Sequence, residues 1–239
     1  MLLVGVGLVS AAAQARRAPL PSLTILEEPS RRDPDDIAFV APDASASAER
    51  GAPFLGLFPL HIANVNTRRS VDLCLYDLHG RVDHGAAEVL DQLLGDARDP
   101  HHVETTELDR RTLQILYRAA YHFRAKRVDV ISAYRKAGAK SEGQHGTGRA
   151  IDFKLKNVGA PALAAYLRGQ ARVGVGVYTH PKTQYVHLDV RERSYYWLDA
   201  SPPGRTWRER QLVQSGMAAR DAGYARANDW PEGTVAPPF

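Results

Sequence analysis

Cysteine is almost missing from this chain. Cys74 stands alone among 239 residues, so neither an intramolecular disulfide nor a cysteine-based zinc cluster can form. A bound metal would have to be held by histidines and carboxylates. Charge of one sign is also scarce: 31 basic residues against 27 acidic ones leave a formal net charge of +4. That excess favours an encounter with an anionic polymer. No Lys/Arg run and no basic stripe interleaved with aromatics is present, so no nucleic-acid partner is expected. No apolar run reaches the roughly 20 residues needed to cross a bilayer, and no internal repeat is visible. What remains, 44% hydrophobic and 24% charged, is the composition of a globular chain rather than of a disordered or coiled-coil one.

Residues 2–13 form a short apolar run ending in Ala13-Gln14-Ala15, with small residues where a signal peptidase inspects the chain. We read residues 1–15 as a signal peptide, although no Lys or Arg precedes the run. A periplasmic or secreted location follows, with no membrane span once the leader is removed. The competing reading is an apolar N-terminal strand or helix. Residues 16–53 are rich in Pro, Ala, Ser, Asp and Arg and lack hydrophobic periodicity, which predicts a flexible linker or arm. Residues 54–200 carry the periodic pattern of a compact domain. Residues 201–239 turn polar and read as a peripheral extension ending in a helix and a Pro-rich tail.

Within the domain, residues 54–63 and 70–76 are strand-like, the second with Val71, Leu73 and Leu75 on one face. Ala86, Val89, Leu90 and Leu93 fall at helical spacing, and Leu113, Leu116, Tyr117, Ala120 and Phe123 repeat that pattern. Asp109, or the Thr105-Thr106-Glu107 segment before it, would cap the second helix. Short strands are expected at 128–132, 149–155, 173–178 and 184–190, and an alanine-rich helix at 161–170 that opens on Pro161. These elements predict an α+β domain: a small, mainly antiparallel sheet with helices packed on one face and a metal site on the other.

Three segments carry chemistry. In Gln144-His145-Gly146-Thr147-Gly148-Arg149-Ala150-Ile151-Asp152, His145 leaves a glycine-rich loop and Asp152 lies on the strand that follows. Ile151 and Phe153 would point into the core while Asp152 faces away. A carboxylate among buried neighbours needs a partner, and a metal ion shared with His145 would supply one. In Val186-His187-Leu188-Asp189, His187 and Asp189 share a strand face. Three protein ligands with a free fourth position and a nearby carboxylate are what hydrolytic zinc requires. Asp189 can serve as a proton acceptor or as an orienter of a ligand imidazole. Ser132-Ala133-Tyr134-Arg135 ends a core strand and offers a guanidinium for a substrate carboxylate or a developing oxyanion.

Gln144-His145-x-x-Gly148-x-Ala150-x-Asp152, the upstream Ser-Ala-Tyr-Arg and the downstream Val-His187-Leu-Asp189 together resemble the M15-like zinc peptidases, nearest the YcbK-like murein endopeptidases. The resemblance extends over about residues 54–197 and includes the Gly-Val-Gly-Val-Tyr segment before the last motif. It implies a D-Ala-D-Ala carboxypeptidase / hedgehog-like fold with one Zn2+ ion held by His145, Asp152 and His187. It also makes Arg135 a substrate or oxyanion contact and Asp189 an active-site carboxylate, with peptidoglycan peptide as substrate; separately from the resemblance, a monomer is expected. Two departures stand out. Gln184, Tyr185 and Val186 occupy the places where related peptidases carry a base before the last ligand. Gly143 stands where a serine is common. The resemblance therefore admits an endopeptidase cutting cross-links, a D-alanyl-D-alanine carboxypeptidase of the same fold, or an inactive cell-wall-binding module.

Overall fold

The computed structural model describes residues 57–77, 80–96, 106–136, 143–205, 207 and 209–225. The expected signal peptide, the arm at 16–53 and the Pro-rich tail lie outside these residues. Among the described residues eight strands form one sheet: β1 (Leu60–Asn64), β2 (Arg69–Leu73), β3 (Arg127–Ser132), β4 (Ala150–Leu155), β5 (Val173–Tyr178), β6 (Val186–Val190), β7 (Tyr195–Asp199) and β8 (Arg210–Leu212). Their spatial order is β2-β1-β3-β4-β6-β5-β7-β8. The pairs β1/β3 and β5/β7 are parallel and the other neighbours antiparallel, so the sheet is mostly antiparallel, as the sequence predicts.

Among the described residues the helices are α1 (His84–Leu93), α2 (Arg110–His122), α3 (Ala160–Leu167) and α4 (Met217–Ala222). Helix α1 starts where the Asp83 carboxylate accepts from Ala86 N, and its apolar stripe, Ala86, Val89, Leu90 and Leu93, is buried. Asp109 caps α2 by accepting from the N–H groups of Arg111 and Thr112, which satisfies donors that an uncapped first turn would leave free. Helix α3 is shorter than its apolar pattern suggests. It gives out at Leu167, just before Gly169, whose flexible backbone no longer favours helix.

Strand alternation divides the sheet's two faces. Leu60, Ile62, Val128, Val130, Ile151, Phe153, Val175, Leu188 and Tyr196 join the buried helix residues Leu90, Leu93, Leu113, Leu116, Leu163 and Leu167 in one core cluster. Each such side chain contributes about 1.5–3 kcal/mol when fully buried. The intervening positions, among them Asp152, His187, Asp189, Gly174, Gly176 and Trp197, lie on the other face.

Three features depart from expectation. Cys74 falls just past the end of β2 rather than within a strand; it is half-buried, with Sγ 3.6 Å from the Tyr121 hydroxyl. Tyr195–Asp199 forms a full strand, β7, parallel to β5, beyond the strands that the sequence predicts. The C-terminal extension continues the sheet through β8, paired with β7, and then docks α4. Asp221 accepts from Arg172 N at 2.6 Å, Ser194 N at 2.6 Å and Ser194 Oγ at 2.7 Å. Arg111 and Arg172 lie on the Tyr224 ring, 4.8 Å and 4.7 Å from its centroid.

Candidate metal centre

The β4/β6 ladder brings two of the expected ligands together. Asp152 lies directly opposite His187, and Ala150 opposite Asp189, so residues far apart in sequence become lateral neighbours on one face. On its other side Asp152 is paired with Ser132 of β3, after a register irregularity between Val130 and Ser132.

The third ligand arrives from the loop before β4. Residues 143–149 fold into successive turns: Gly146 N donates to Gly143 O at 2.8 Å, and Arg149 N to Gln144 O at 2.9 Å. Of the loop glycines singled out in the sequence, Gly148 is the one that the backbone demands. Its φ of +70° is left-handed, and a Cβ there would stand 2.7 Å from Glu107 O. Gly148 O in turn accepts from Asp109 N at 2.9 Å, tying the loop to the cap of α2. Gly143 has open space around it.

His145, Asp152 and His187 are all buried, and one ligand atom from each lies within 4.8 Å of the others. His145 Nδ1 is 2.6 Å from the Ala133 carbonyl. A carbonyl only accepts, so Nδ1 carries hydrogen and the Nε2 lone pair faces the cluster. His187 Nε2 is 2.9 Å from the Asp189 carboxylate, which fixes hydrogen on Nε2 and turns the Nδ1 lone pair inward. The two inward nitrogens are 3.2 Å apart. Asp152 Oδ1 lies 2.8 Å from His187 Nδ1, and Asp152 Oδ2 lies 3.4 Å from His145 Nε2. With neutral imidazoles this would be three acceptors converging with no donor. Such a cluster needs a cation, either a proton or a metal ion, and the N,N,O donor set suits a transition metal better than an alkaline earth.

Electrostatics agree with that demand. Burial raises the Asp152 carboxyl, but the His145 and His187 imidazoles beside it outweigh burial and hold the group well below the usual carboxylate range. Burial lowers His187, yet its bonds to Asp152 and Asp189 prevail and hold it at about 9. Without a metal, His187 itself carries the missing positive charge.

Asp189 lies on the outer side of the His187 ring, away from Asp152. It is fully buried, and its carboxylate also receives the Arg191 guanidinium, with Nε 2.6 Å from Oδ1 and Nη2 close to Oδ2. Arg135 is exposed and its N–H donates to His145 O at 3.3 Å. It borders a cavity of about 400 Å³ shared with Asn64, Asn66, Asp96 and Ser132. His180 is committed to its own loop, where Nδ1 accepts from Lys182 N at 3.2 Å.

Several neighbours were not anticipated as parts of the site. The Trp197 ring packs on His187 with centroids 5.0 Å apart, and a Cβ at Gly176 would collide with it. A Cβ at Gly174 would collide with the Asp189 carboxylate and with Arg191. Tyr185, two residues before His187 in the chain, stacks on Tyr178 at 4.2 Å. Its phenol is pushed up to about 12 by burial, with Asp152 adding to the rise and Arg135 opposing it. The alternating glycines of Val173-Gly174-Val175-Gly176-Val177 were the signal: on a strand they clear one face for bulky groups from its neighbours.

A family model described as Peptidoglycan L,D-endopeptidase MepK (Peptidase_M15_2) matches residues 57–195, more than half of the chain and all three residues of the cluster. No curated protein matches, and no solved structure matches.

Proposed function

Because the chain belongs to the M15-like murein endopeptidase family of that model, we propose that it is a zinc-dependent murein endopeptidase, hydrolysing amide bonds in the peptide cross-links of peptidoglycan. The observation that carries this reading is the convergence of the His145 and His187 lone pairs on the Asp152 carboxylate. Two imidazoles and one carboxylate form a three-ligand set of the kind found in catalytic zinc sites, which keep a fourth position for water. We read residues 54–200 as the peptidase domain, with the D-Ala-D-Ala carboxypeptidase / hedgehog-like arrangement. We place the working enzyme in the periplasm or outside the cell, as a monomer. No helix among the described residues is long and apolar enough to cross a membrane.

His145 Nε2, His187 Nδ1 and an Asp152 oxygen would hold the ion. The chemistry it supplies when bound is polarisation of the scissile carbonyl and activation of water near neutral pH. The chain's own groups prepare that chemistry. The Ala133 carbonyl fixes the tautomer of His145, and Asp189 fixes that of His187, which keeps both lone pairs aimed at one point. Enclosed on the far side of the imidazole, Asp189 suits orientation and not proton exchange with substrate. Of the two roles the sequence leaves open for Asp189, proton acceptor and orienter, we read it as the orienter. Arg135, exposed and tied to the His145 loop through its backbone N–H, would offer a guanidinium to a substrate carboxylate or to the oxyanion that develops on the attacked carbonyl.

Incubation with purified sacculi tests the proposal. Release of muropeptides that a chelator abolishes and zinc restores is the expected result. Release of terminal D-alanine alone would identify a carboxypeptidase. Retention on sacculi with no new product would identify a binding module, and either outcome overturns the endopeptidase.

A further inference from the structure

The residue that holds Asp189 is Arg191, and nothing in the three sequence motifs marks it. Its guanidinium reaches both carboxylate oxygens, Nε to Oδ1 and Nη2 to Oδ2. A two-point fork of this kind fixes the plane of a carboxylate as well as its position. The same Oδ2 accepts from His187 Nε2, so the plane of the carboxylate helps to set the angle at which the imidazole stands.

The surroundings of the pair are built for it. Gly174 lies across the ladder from Asp189, and a side chain there would collide with both Asp189 Oδ2 and Arg191 Nη2. The guanidinium also lies over the Tyr195 ring at 5.6 Å and the Trp197 ring at 6.0 Å, and Trp197 packs on His187 itself. Arg191 thus reaches the ligand by two routes, through the carboxylate and through the indole. An ordinary surface ion pair contributes little. Here one partner is fully buried, and the Arg191 side chain is only 24% exposed.

We infer that Arg191 is a positioning residue of the metal centre: it locks the Asp189 carboxylate so that His187 presents Nδ1 to the ion at a fixed angle. This rests on the reading of His145, Asp152 and His187 as a metal centre. A lysine at 191 would not substitute, because a single ammonium cannot fix the carboxylate plane.

The test uses the full chain with Arg191→Met, Arg191→Lys and, as a control, Arg193→Ala at an exposed neighbour. Methionine keeps an apolar stem against Tyr195 and Trp197 while removing the fork. Zinc affinity is measured by competition with a chromophoric chelator, and the ligand field by the visible spectrum of the Co2+-substituted protein. Arg191→Met and Arg191→Lys are expected to weaken zinc binding about 10–100-fold, the usual effect of removing an outer partner of a ligand, and to shift the Co2+ bands. Arg193→Ala should match the unaltered protein. Wild-type affinity and an unshifted spectrum in Arg191→Met overturn the inference, as does full recovery by lysine. Should Arg191→Met prove unfolded, Arg191→Lys is read by the same affinity and spectrum, and wild-type values in it overturn the inference equally. Failure of the unaltered protein to bind zinc or Co2+ would instead remove the metal centre itself, so the two failures are distinguishable.

Discussion

His145 Nε2 and His187 Nδ1 stand 3.2 Å apart, each aimed at the other by a hydrogen bond on the opposite edge of its ring. This relationship makes the site a trap for positive charge. It also makes metal binding and protonation compete for the same atoms.

The competition predicts proton release. His187 is held at about 9 in the absence of metal, so at pH 7 the metal-free site is protonated. Binding a divalent ion there should expel close to one proton. Calorimetric titration with zinc at pH 7, in buffers of different ionisation enthalpy, measures the number directly. Release near zero would show that the imidazoles are already neutral and would contradict the charge-trap account.

The same group makes the stability of the metal-free protein depend on pH. Its folded pKa lies above the unfolded value of about 6.5, so protonation stabilises the fold. That stabilisation is full below an unfolded pKa of about 6.5 and is lost as pH rises through about 9. The span corresponds to roughly 3 kcal/mol. Thermal unfolding of the metal-free protein should therefore fall in midpoint between about pH 6 and about pH 9.5. In the zinc-loaded protein the ion takes over the role of the proton, and the dependence should flatten.

Much of this site is legible in the amino-acid sequence. The two motifs place His145, Asp152, His187 and Asp189 through simple rules: strand alternation puts Asp152 opposite in sense to Ile151 and Phe153, and the i, i+2 spacing puts His187 and Asp189 on one face. Lateral order is not legible there. That β4 pairs with β6, and that Asp152 meets His187 there rather than one residue along, is decided by long-range register. So is the position of Asp189 on the outer edge of the His187 ring. Strand β7 leaves little trace because Tyr195, Tyr196 and Trp197 show no alternation in hydrophobicity, although Tyr196 enters the core and Trp197 packs on His187. Polar docking of α4 through Asp221 leaves no apolar stripe to detect.

Glycine substitutions in the His145 loop should separate sharply. Gly148→Ala forces a left-handed φ on alanine and drives a methyl into Glu107 O. A cost of about 1–3 kcal/mol is expected from the strain alone, and because the loop carries His145, metal retention should drop with it. Gly143→Ala meets nothing within 4 Å and should leave both properties unchanged. Unfolding midpoints and metal content of the two variants, compared side by side, decide the point. Equal behaviour would mean that the loop gains its shape elsewhere.

The last prediction concerns the C-terminal helix. Burial raises the Asp221 carboxyl, but bonds from Ser194 and from the N–H groups of Arg172 and Ser194 outweigh it and hold it below the ordinary value. A depressed folded pKa means that the latch is at full strength above the unfolded value of about 4. It weakens as pH falls through the lower, folded one. Asp221→Ala removes the acceptor at any pH and strands the Ser194 and Arg172 donors. We expect amide hydrogen exchange across Met217–Ala222 to accelerate by an order of magnitude or more at pH 7, as loss of hydrogen bonds to a charged group costs about 1.5–3 kcal/mol. Arg172 and Ser194 also flank the strands that carry Gly174 and Trp197, so exchange at Val173–Tyr178 should rise in the same variant. If α4 loosens while Val173–Tyr178 keeps its protection, the extension is a passive cover and plays no part in holding the wall behind His187.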